Sequence, residues 1–295
     1  MELVVLAEKS RSGRDYILTL SCADTPGLVF AVSGFLVQHS CNILQNQQFD
    51  DRLTGLFFMR VHFESEDSGT TLTDLQSDFA HVAGSLRMDW QLSSAQTPTR
   101  VLIMVSRFDH CLNDLLYRHK VGALNIDIPA IVSNHPDLRA LADSYRIAYH
   151  HIPVTPQTKA EAEGQLLELV AGHDIDIVVL ARYMQVLSDD LCTKLRGKAM
   201  NIHHSFLPSF KGGKPYHQAH ERGVKLIGAT AHYVTTELDE GQIIEQDVER
   251  VEHTMDPQEL VAIGRDVEAR VLARALKWHS EHRVLLNGNR TIVFR

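Results

Sequence analysis

No stretch of this 295-residue sequence stays apolar for the roughly 20 residues a bilayer-spanning helix needs, and its longest apolar runs match a buried strand instead. No membrane partner is expected. Residues 1–14 lack the basic, apolar and small-residue succession of a signal peptide, which predicts an unexported, cytoplasmic protein. Cysteine is scarce: Cys22, Cys41, Cys111 and Cys192 show neither CxxC nor any other ligand spacing and read as reduced thiols, not a disulfide framework. Positive charge is short as well. A formal net charge of −8 without a dense Lys/Arg cluster argues against a phosphate-backbone binder, so nucleic acid is not an expected partner. Internal repeats and low-complexity segments are missing too. Histidine alone is abundant, at 17 copies, but its tightest spacing, His217-Gln218-Ala219-His220, lacks a Glu after the first His and a third ligand. Neither a metal nor another cofactor is expected.

What is present is an apolar fraction of 44%, enough in a chain of this length for two domains. Residues 15–22 read as a strand and ADTPGL as a tight turn, after which Val29, Val32, Phe35 and Leu36 recur at helical spacing. Residues 42–49 and 54–63 are β-rich and separated by Asp50-Asp51-Arg52, which predicts a hairpin. Leu72, Leu75, Phe79 and Val82 mark a helix over 71–84, and 87–92 would close a four-stranded sheet. This βαββαβ order, with Asp24-Thr25-Pro26-Gly27-Leu28 at the first strand–helix turn, resembles the ACT domain. That family is a ferredoxin-like regulatory module that usually pairs with a second copy and often binds an amino acid at the interface. The resemblance assigns 1–92 to an ACT-like regulatory domain and makes Gly27 and Asn42 candidate effector contacts. Without a Cβ, Gly27 would let a ligand approach the main chain, and the helix after it would offer unpaired N–H groups to a carboxylate. Pro26 and Gly27 would serve equally well simply to turn the chain and start a helix.

Ser93 to Arg100, SSAQTPTR, is polar and aperiodic and predicts a linker over 93–100. Beyond it, the strand-like runs 101–106, 126–132, 150–154 and 175–181 alternate with helical patterns, the first marked by Leu112, Leu115 and Leu116. The alternation predicts a mostly parallel, Rossmann-like sheet within 101–295, with ligands bound beyond the carboxyl ends of its strands. The fold class is α/β throughout. Asp256-Pro257-Gln258-Glu259 combines an N-cap, a first-turn Pro and a Glu three residues after the cap, which predicts a long helix burying Leu260, Ile263, Val267, Val271 and Leu276. The closing VLLNGNRTIVF reads as a hairpin turning at Asn287-Gly288-Asn289.

The chemistry concentrates between Asn201 and Gly241. Met200 to Ile202 reads as the end of a buried strand running into His203, and 228–235 alternates as a second strand. Glu237-Leu238-Asp239-Glu240-Gly241 is the loop that leaves it. If the two strands are neighbours, Asn201, His203 and Asp239 converge. An Asn amide can hold a carbonyl oxygen and stabilise the oxyanion formed when that carbonyl is attacked. A His beside a carboxylate suits proton transfer near neutrality, and Asp239 would orient the ring and help hold an attacking water. The set implies attack on an acyl carbon without a metal or a covalent nucleophile; Ser205 has no G-x-S-x-G elbow around it. At this point His203 can start either neutral, as a base, or charged, as an electrostatic stabiliser.

NIHHSFLPSF followed by HYVTTELDEGQII is similar to the signature of the folate-dependent formyltransferase fold, in which Asn, His and Asp act on the formyl group of 10-formyltetrahydrofolate. The matching residues are Asn201, His203 and Asp239. LARYMQVLS is similar to the loop that holds the pteridine ring in that family, which implies folate contacts from Met184, Gln185, Val186 and Leu187. Glycinamide ribonucleotide transformylases of this fold carry a glycine-rich phosphate cradle after the first strand. Here that place reads MVSRFDHCLNDLL, without glycine, and Asp109 would repel a phosphate that Arg107 only partly attracts. The sequence also shows neither the further C-terminal domain nor the basic surface of methionyl-tRNA formyltransferases. With the ACT-like module in front, and with SNHPDL at 133–138 and GGKPYHQA at 212–219, the chain resembles the formyltetrahydrofolate deformylase family. The resemblance implies a hydrolase that releases formate and tetrahydrofolate from 10-formyltetrahydrofolate, supplying formate and balancing one-carbon pools for purine biosynthesis. It further implies an amino-acid effector such as glycine or methionine, no cofactor, and a homodimer or homotetramer. The competing readings are a formyl transferase with an amine acceptor and a non-catalytic amino-acid or folate sensor.

Overall fold

The computed structural model describes residues 14–67, 69–207 and 215–295. Residues 1–13, read above for a signal peptide, lie outside this set, as do 208–210 and 212–214 of the two motifs that span them. The chain divides into two compact units, one holding the chain up to Thr97 with Glu281–Leu285 and Phe294–Arg295, the other Pro98–Ser280 with Leu286–Val293.

The first unit is the expected βαββαβ module. Strands β1 (Asp15–Ala23), β2 (Cys41–Asp51), β3 (Leu56–Ser65) and β4 (Asp89–Ser94) form an antiparallel sheet in the order β2-β3-β1-β4. Helix α1 (Leu28–Gln38) turns Leu28, Val32, Phe35 and Leu36 inward and leaves Val29 exposed, so the apolar stripe starts one residue earlier than its spacing suggested. Helix α2 (Leu72–Leu86) begins at a reciprocal cap in which Thr71 accepts from the Asp74 N–H and Asp74 accepts from Thr71. Both helices pack with the sheet around Leu18, Leu20, Met59, Val61, Phe63 and Phe79. The β2–β3 turn falls at 52–55, later than Asp50-Asp51-Arg52, because Asp50 and Asp51 still pair with Phe57 and Leu56.

One side chain in this unit is out of keeping with its surroundings. Arg60, on β3, is only 2% exposed, and its guanidinium donates to the Glu281 carbonyl at 2.9 and 3.2 Å and to Gln45 Oε1 at 3.0 Å. Burial, and then the neighbouring Arg283 charge, push its pKa down to about 10. The closing residues of the chain thus complete the first unit and satisfy a buried cation there.

The second unit carries a seven-stranded sheet in the order β11-β10-β9-β8-β5-β6-β7, from β5 (Thr99–Val105), β6 (Ile126–Ser133), β7 (Ala148–His151), β8 (Ile177–Leu180), β9 (Ala199–His203), β10 (Leu226–Tyr233) and β11 (Ile243–Arg250). β5 to β9 pair in parallel, whereas β9–β10 and β10–β11 are antiparallel. Helices α3 (His110–Lys120), α4 (Arg139–Ser144), α5 (Lys159–Gly172), α6 (Asp189–Lys194), α7 (Pro215–Glu221) and α8 (Pro257–Ser280) complete it. At the start of α8, Asp256 Oδ1 accepts from the N–H groups of Gln258 and Glu259, while Glu259 Oε2 accepts from the Asp256 N–H, the expected reciprocal cap. Helix α5 begins at Lys159, after Thr155 and Thr158 close a hydroxyl-bonded turn. The tail forms β12 (Val284–Asn287) and β13 (Arg290–Val293), the expected hairpin. Of the expected linker 93–100, Ser93 and Ser94 belong to β4 and Thr99 and Arg100 to β5, leaving 95–98 between the strands.

Candidate active site

β9 and β10 are the neighbours on which the convergence of Asn201, His203 and Asp239 depended. Their antiparallel register sets Asn201 opposite His232 and His203 opposite Thr230. Asn201 and His203 are two apart on one strand, as are Thr230 and His232 on the other, so all four share one face of the sheet.

The ring of His232 is fixed at both nitrogens. Its Nδ1 lies 2.8 Å from the Tyr233 carbonyl oxygen, which can only accept, so Nδ1 carries the proton. In the neutral ring Nε2 is then an acceptor, and it lies 3.2 Å from Asn201 Nδ2. One N–H of the Asn201 amide is thereby committed and the other is left for a ligand.

Asp239 arrives from the loop after β10 in a left-handed backbone conformation, φ 60°. Its Oδ1 lies 3.2 Å from His203 Nδ1 and 3.7 Å from His232 Nε2; the first is a hydrogen bond and the second is too long for one. Burial alone would raise the pKa of Asp239, but the hydrogen bond from His203, with the His232 ring adding to it, holds the carboxyl well below the usual carboxylate range. The loop passes so close to β10 that a Cβ on Gly241 would fall 1.7 Å from the Tyr233 oxygen, the same oxygen that holds His232. His203 Nε2, by contrast, is buried without a hydrogen-bond partner among the described residues. The adjacent His204 ring stacks on His203 at 4.7 Å, and burial, followed by the charges of Arg182 and His203, pushes the His204 pKa down to about 4.

These groups wall a cavity of about 300 Å³, whose lining includes Asn201, His203, His232 and Asp239 together with all of Met184, Gln185, Val186 and Leu187. The 184–187 loop is pinned from behind. Met184 N–H donates to Ser106 Oγ at 2.9 Å, and Ser106 Oγ donates to Asn134 Oδ1 at 2.7 Å. At the other end Ser188 hydrogen-bonds Glu163 through both its N–H and its hydroxyl, and caps α6. The Asn of SNHPDL therefore acts through Ser106 on the loop that faces the cavity. Thr230 performs a similar task below, donating to the Ser205 carbonyl at 2.9 Å and accepting from Leu207 N–H at 3.1 Å.

The effector candidates are in the first unit. Gly27 caps α1 with φ 98°, and Asn42 lies on the edge strand β2 with its Nδ2 donating to Glu64 at 3.3 Å; among the described residues no hydrogen bond links the two. All four cysteines are free thiols. No helix among the described residues is long and apolar enough to cross a membrane.

Among the described residues one group, His110, Cys111 and Glu268, brings three ligand-type atoms within 4.8 Å of one another. Its carboxylate is already engaged. Glu268 Oε1 accepts from Tyr216 at 2.6 Å and Oε2 from His110 Nε2 at 2.8 Å, with Arg182 Nε 3.2 Å away. The guanidinium supplies the positive charge that a metal would bring. The Arg182 contact is ionic and not a directed hydrogen bond, since the Nε hydrogen finds no acceptor in line.

Two residues of importance escaped the sequence reading. His232 looked like one histidine among many on an alternating strand; the polar pair Thr230 and His232, spaced by two like Asn201 and His203, was the available signal. Glu268, 1% exposed, sits on a helix whose other charges face outward. Its neighbours Gly264, Val267 and Val271 were the hint that it points inward.

Family models place these structures in a wider context. The formyl transferase family model matches residues 99–276 and the ACT domain model residues 16–80. The chain is 55% identical over 280 residues to the formyltetrahydrofolate deformylase of Corynebacterium sp. (strain P-1), covering 95% of this chain and 98% of that one. It is 46% identical over 278 residues to the protein of the same name from Bacillus subtilis (strain 168), covering 94% and 93%. The crystal structure of formyltetrahydrofolate deformylase from Burkholderia mallei superposes with a TM-score of 0.91 at 50% identity, over 96% of this chain and 100% of that one.

Proposed function

The chain belongs to the formyltetrahydrofolate deformylase family, and from that premise we propose that it hydrolyses 10-formyltetrahydrofolate to formate and tetrahydrofolate at the Asn201–His203–Asp239 cavity. The observation that carries this reading is His203: one ring nitrogen is held by an ionised carboxylate, and the other is buried at the cavity with no hydrogen-bond partner among the described residues.

In the proposed mechanism Met184 to Leu187 hold the pteridine ring, largely through the main chain that Ser106 and Ser188 pin. The formyl oxygen takes the uncommitted Asn201 N–H. His203 Nε2 accepts a proton from water as the water oxygen adds to the formyl carbon, and Asp239 stabilises the imidazolium so formed. Asn201 carries the oxyanion of the tetrahedral intermediate. The C–N bond to the folate then breaks, Nε2 returns the proton to the departing nitrogen, and formic acid leaves, losing its remaining proton to water as formate. No metal or cofactor enters these steps.

The ACT module supports regulation by an amino acid, with Gly27 and Asn42 as the proposed contacts and glycine or methionine as the candidates. Module pairing would make the enzyme a homodimer or homotetramer, working in the cytoplasm to supply formate and balance one-carbon pools for purine biosynthesis. The test is to incubate the protein with 10-formyltetrahydrofolate and no acceptor, then assay formate and tetrahydrofolate. Equimolar appearance of both is expected, and its rate should change when glycine or methionine is added. Well-folded protein that binds the folate but releases no formate would defeat the proposal.

A further inference from the structure

Arg182 stands where the chain leaves β8, in a left-handed conformation with φ 65° that residues with a side chain rarely adopt. A glycine would hold that backbone more easily. What the arginine adds is a charged side chain on a residue that lines the same cavity as Asn201, His203 and Asp239. Its side chain is 11% exposed and braced on two sides, by the Glu268 carboxylate at 3.2 Å and by the Phe108 ring at 5.6 Å from the guanidinium carbon.

Glu268 is itself held in place. Burial would raise its pKa, but the hydrogen bond from His110 and the Arg182 charge keep it lowered, so the carboxylate is ionised. Burial and the Glu268 charge raise the Tyr216 pKa, so its hydroxyl keeps its proton and donates. Tyr216 comes from α7, His110 from the start of α3 and Arg182 from the end of β8, and all three meet on one carboxylate of α8. His110 follows the carboxyl end of β5, a position where an open α/β sheet ordinarily receives a ligand. Here that position is taken by the protein's own ion pair.

We propose that the Arg182–Glu268 pair is a specificity-determining plug, filling the place beside the formyl group that an amine acceptor would need and leaving water as the only nucleophile small enough to reach the formyl carbon. This rests on the hydrolytic reading above. Both possible reactions break the same formyl C–N bond. In hydrolysis the water oxygen bonds to the carbon and the folate nitrogen is protonated; in transfer the amine nitrogen bonds to it and loses the proton that the folate nitrogen gains.

The test is Arg182→Gly, which relieves the backbone at φ 65° and vacates a side-chain volume larger than glycinamide. Wild type and variant are incubated with 10-formyltetrahydrofolate and glycinamide, and formate and N-formylglycinamide are counted in the same reaction. Wild type should yield formate alone. In the variant the fraction transferred should rise by about tenfold or more, whatever the total rate. Glu268→Gln, which unbraces the guanidinium without emptying the site, should give a smaller rise. An unchanged fraction in folded Arg182→Gly, or substantial transfer by wild type, would overturn the plug. A folded variant without any turnover would do so too, by assigning the guanidinium to the chemistry itself. Absence of formate from wild type would instead overturn the hydrolytic reading.

Discussion

His232 accepts from Asn201 across 3.2 Å while its other ring nitrogen donates to the Tyr233 carbonyl across 2.8 Å, so the orientation of the Asn201 amide is set from the neighbouring strand. Phenylalanine at 232 would keep the ring but lose both hydrogen bonds. We expect His232→Phe to lower kcat by about tenfold to a hundredfold with little change in KM, since an amide free to turn would miss the transition-state oxyanion more than it weakens folate binding. Steady-state kinetics check this. Unchanged kcat would leave Asn201 oriented by its own strand alone.

Asp239→Asn preserves shape and removes the charge that His203 Nδ1 meets. Turnover should fall by about 10²- to 10⁴-fold, with the affinity for folate little altered, as expected of a group acting mainly in the transition state. Rapid-quench turnover and equilibrium binding separate the two quantities. Near-normal turnover would remove Asp239 from the mechanism.

Ser106 bridges Asn134 and the Met184 N–H, so Ser106→Ala frees the start of the 184–187 loop and strands a buried amide oxygen. A cost of about 1 to 3 kcal/mol is expected. It should appear as lower stability and weaker folate binding with kcat nearly preserved, and Asn134→Ala should reproduce the pattern. A loss confined to kcat would contradict the role given to the loop.

His204 makes stability depend on pH. Its pKa is about 4 in the fold against 6.5 for the free side chain, so the unfolded chain binds the extra proton first as pH falls. The contribution is complete above pH 6.5 and is lost as pH drops from there toward 4, at up to about 1.4 kcal/mol per pH unit. Urea unfolding across that range should show the slope, and His204→Gln should flatten it. An identical slope in the variant would place the proton uptake elsewhere.

Much of the site was legible because its chemistry sits at strand ends. Asn201, His203 and Asp239 stand beside runs whose apolar pattern marks where a strand surfaces, and the loop 184–187 follows the most apolar strand of all. Two kinds of fact were out of reach. His232 takes its role from the cross-strand register of β9 and β10, which no local pattern encodes. Glu268 is a charge on a long helix, and only the arrival of Tyr216, His110 and Arg182 from three other elements distinguishes it from a solvated face. β11 went unread as a strand because Glu245, Gln246, Asp247, Glu249 and Arg250 make it polar, as suits the last strand of an open edge.

The Glu281 carbonyl, held by Arg60, ties the end of the polypeptide to its beginning. A fragment cut after residue 97 would therefore be an incomplete module, with a guanidinium sealed in its sheet that keeps Gln45 but loses the Glu281 carbonyl. The regulatory half of this protein is not a cassette that recombination could lift out in one contiguous piece. Its inheritance is bound to that of the catalytic half, because the chain must run through one to finish the other.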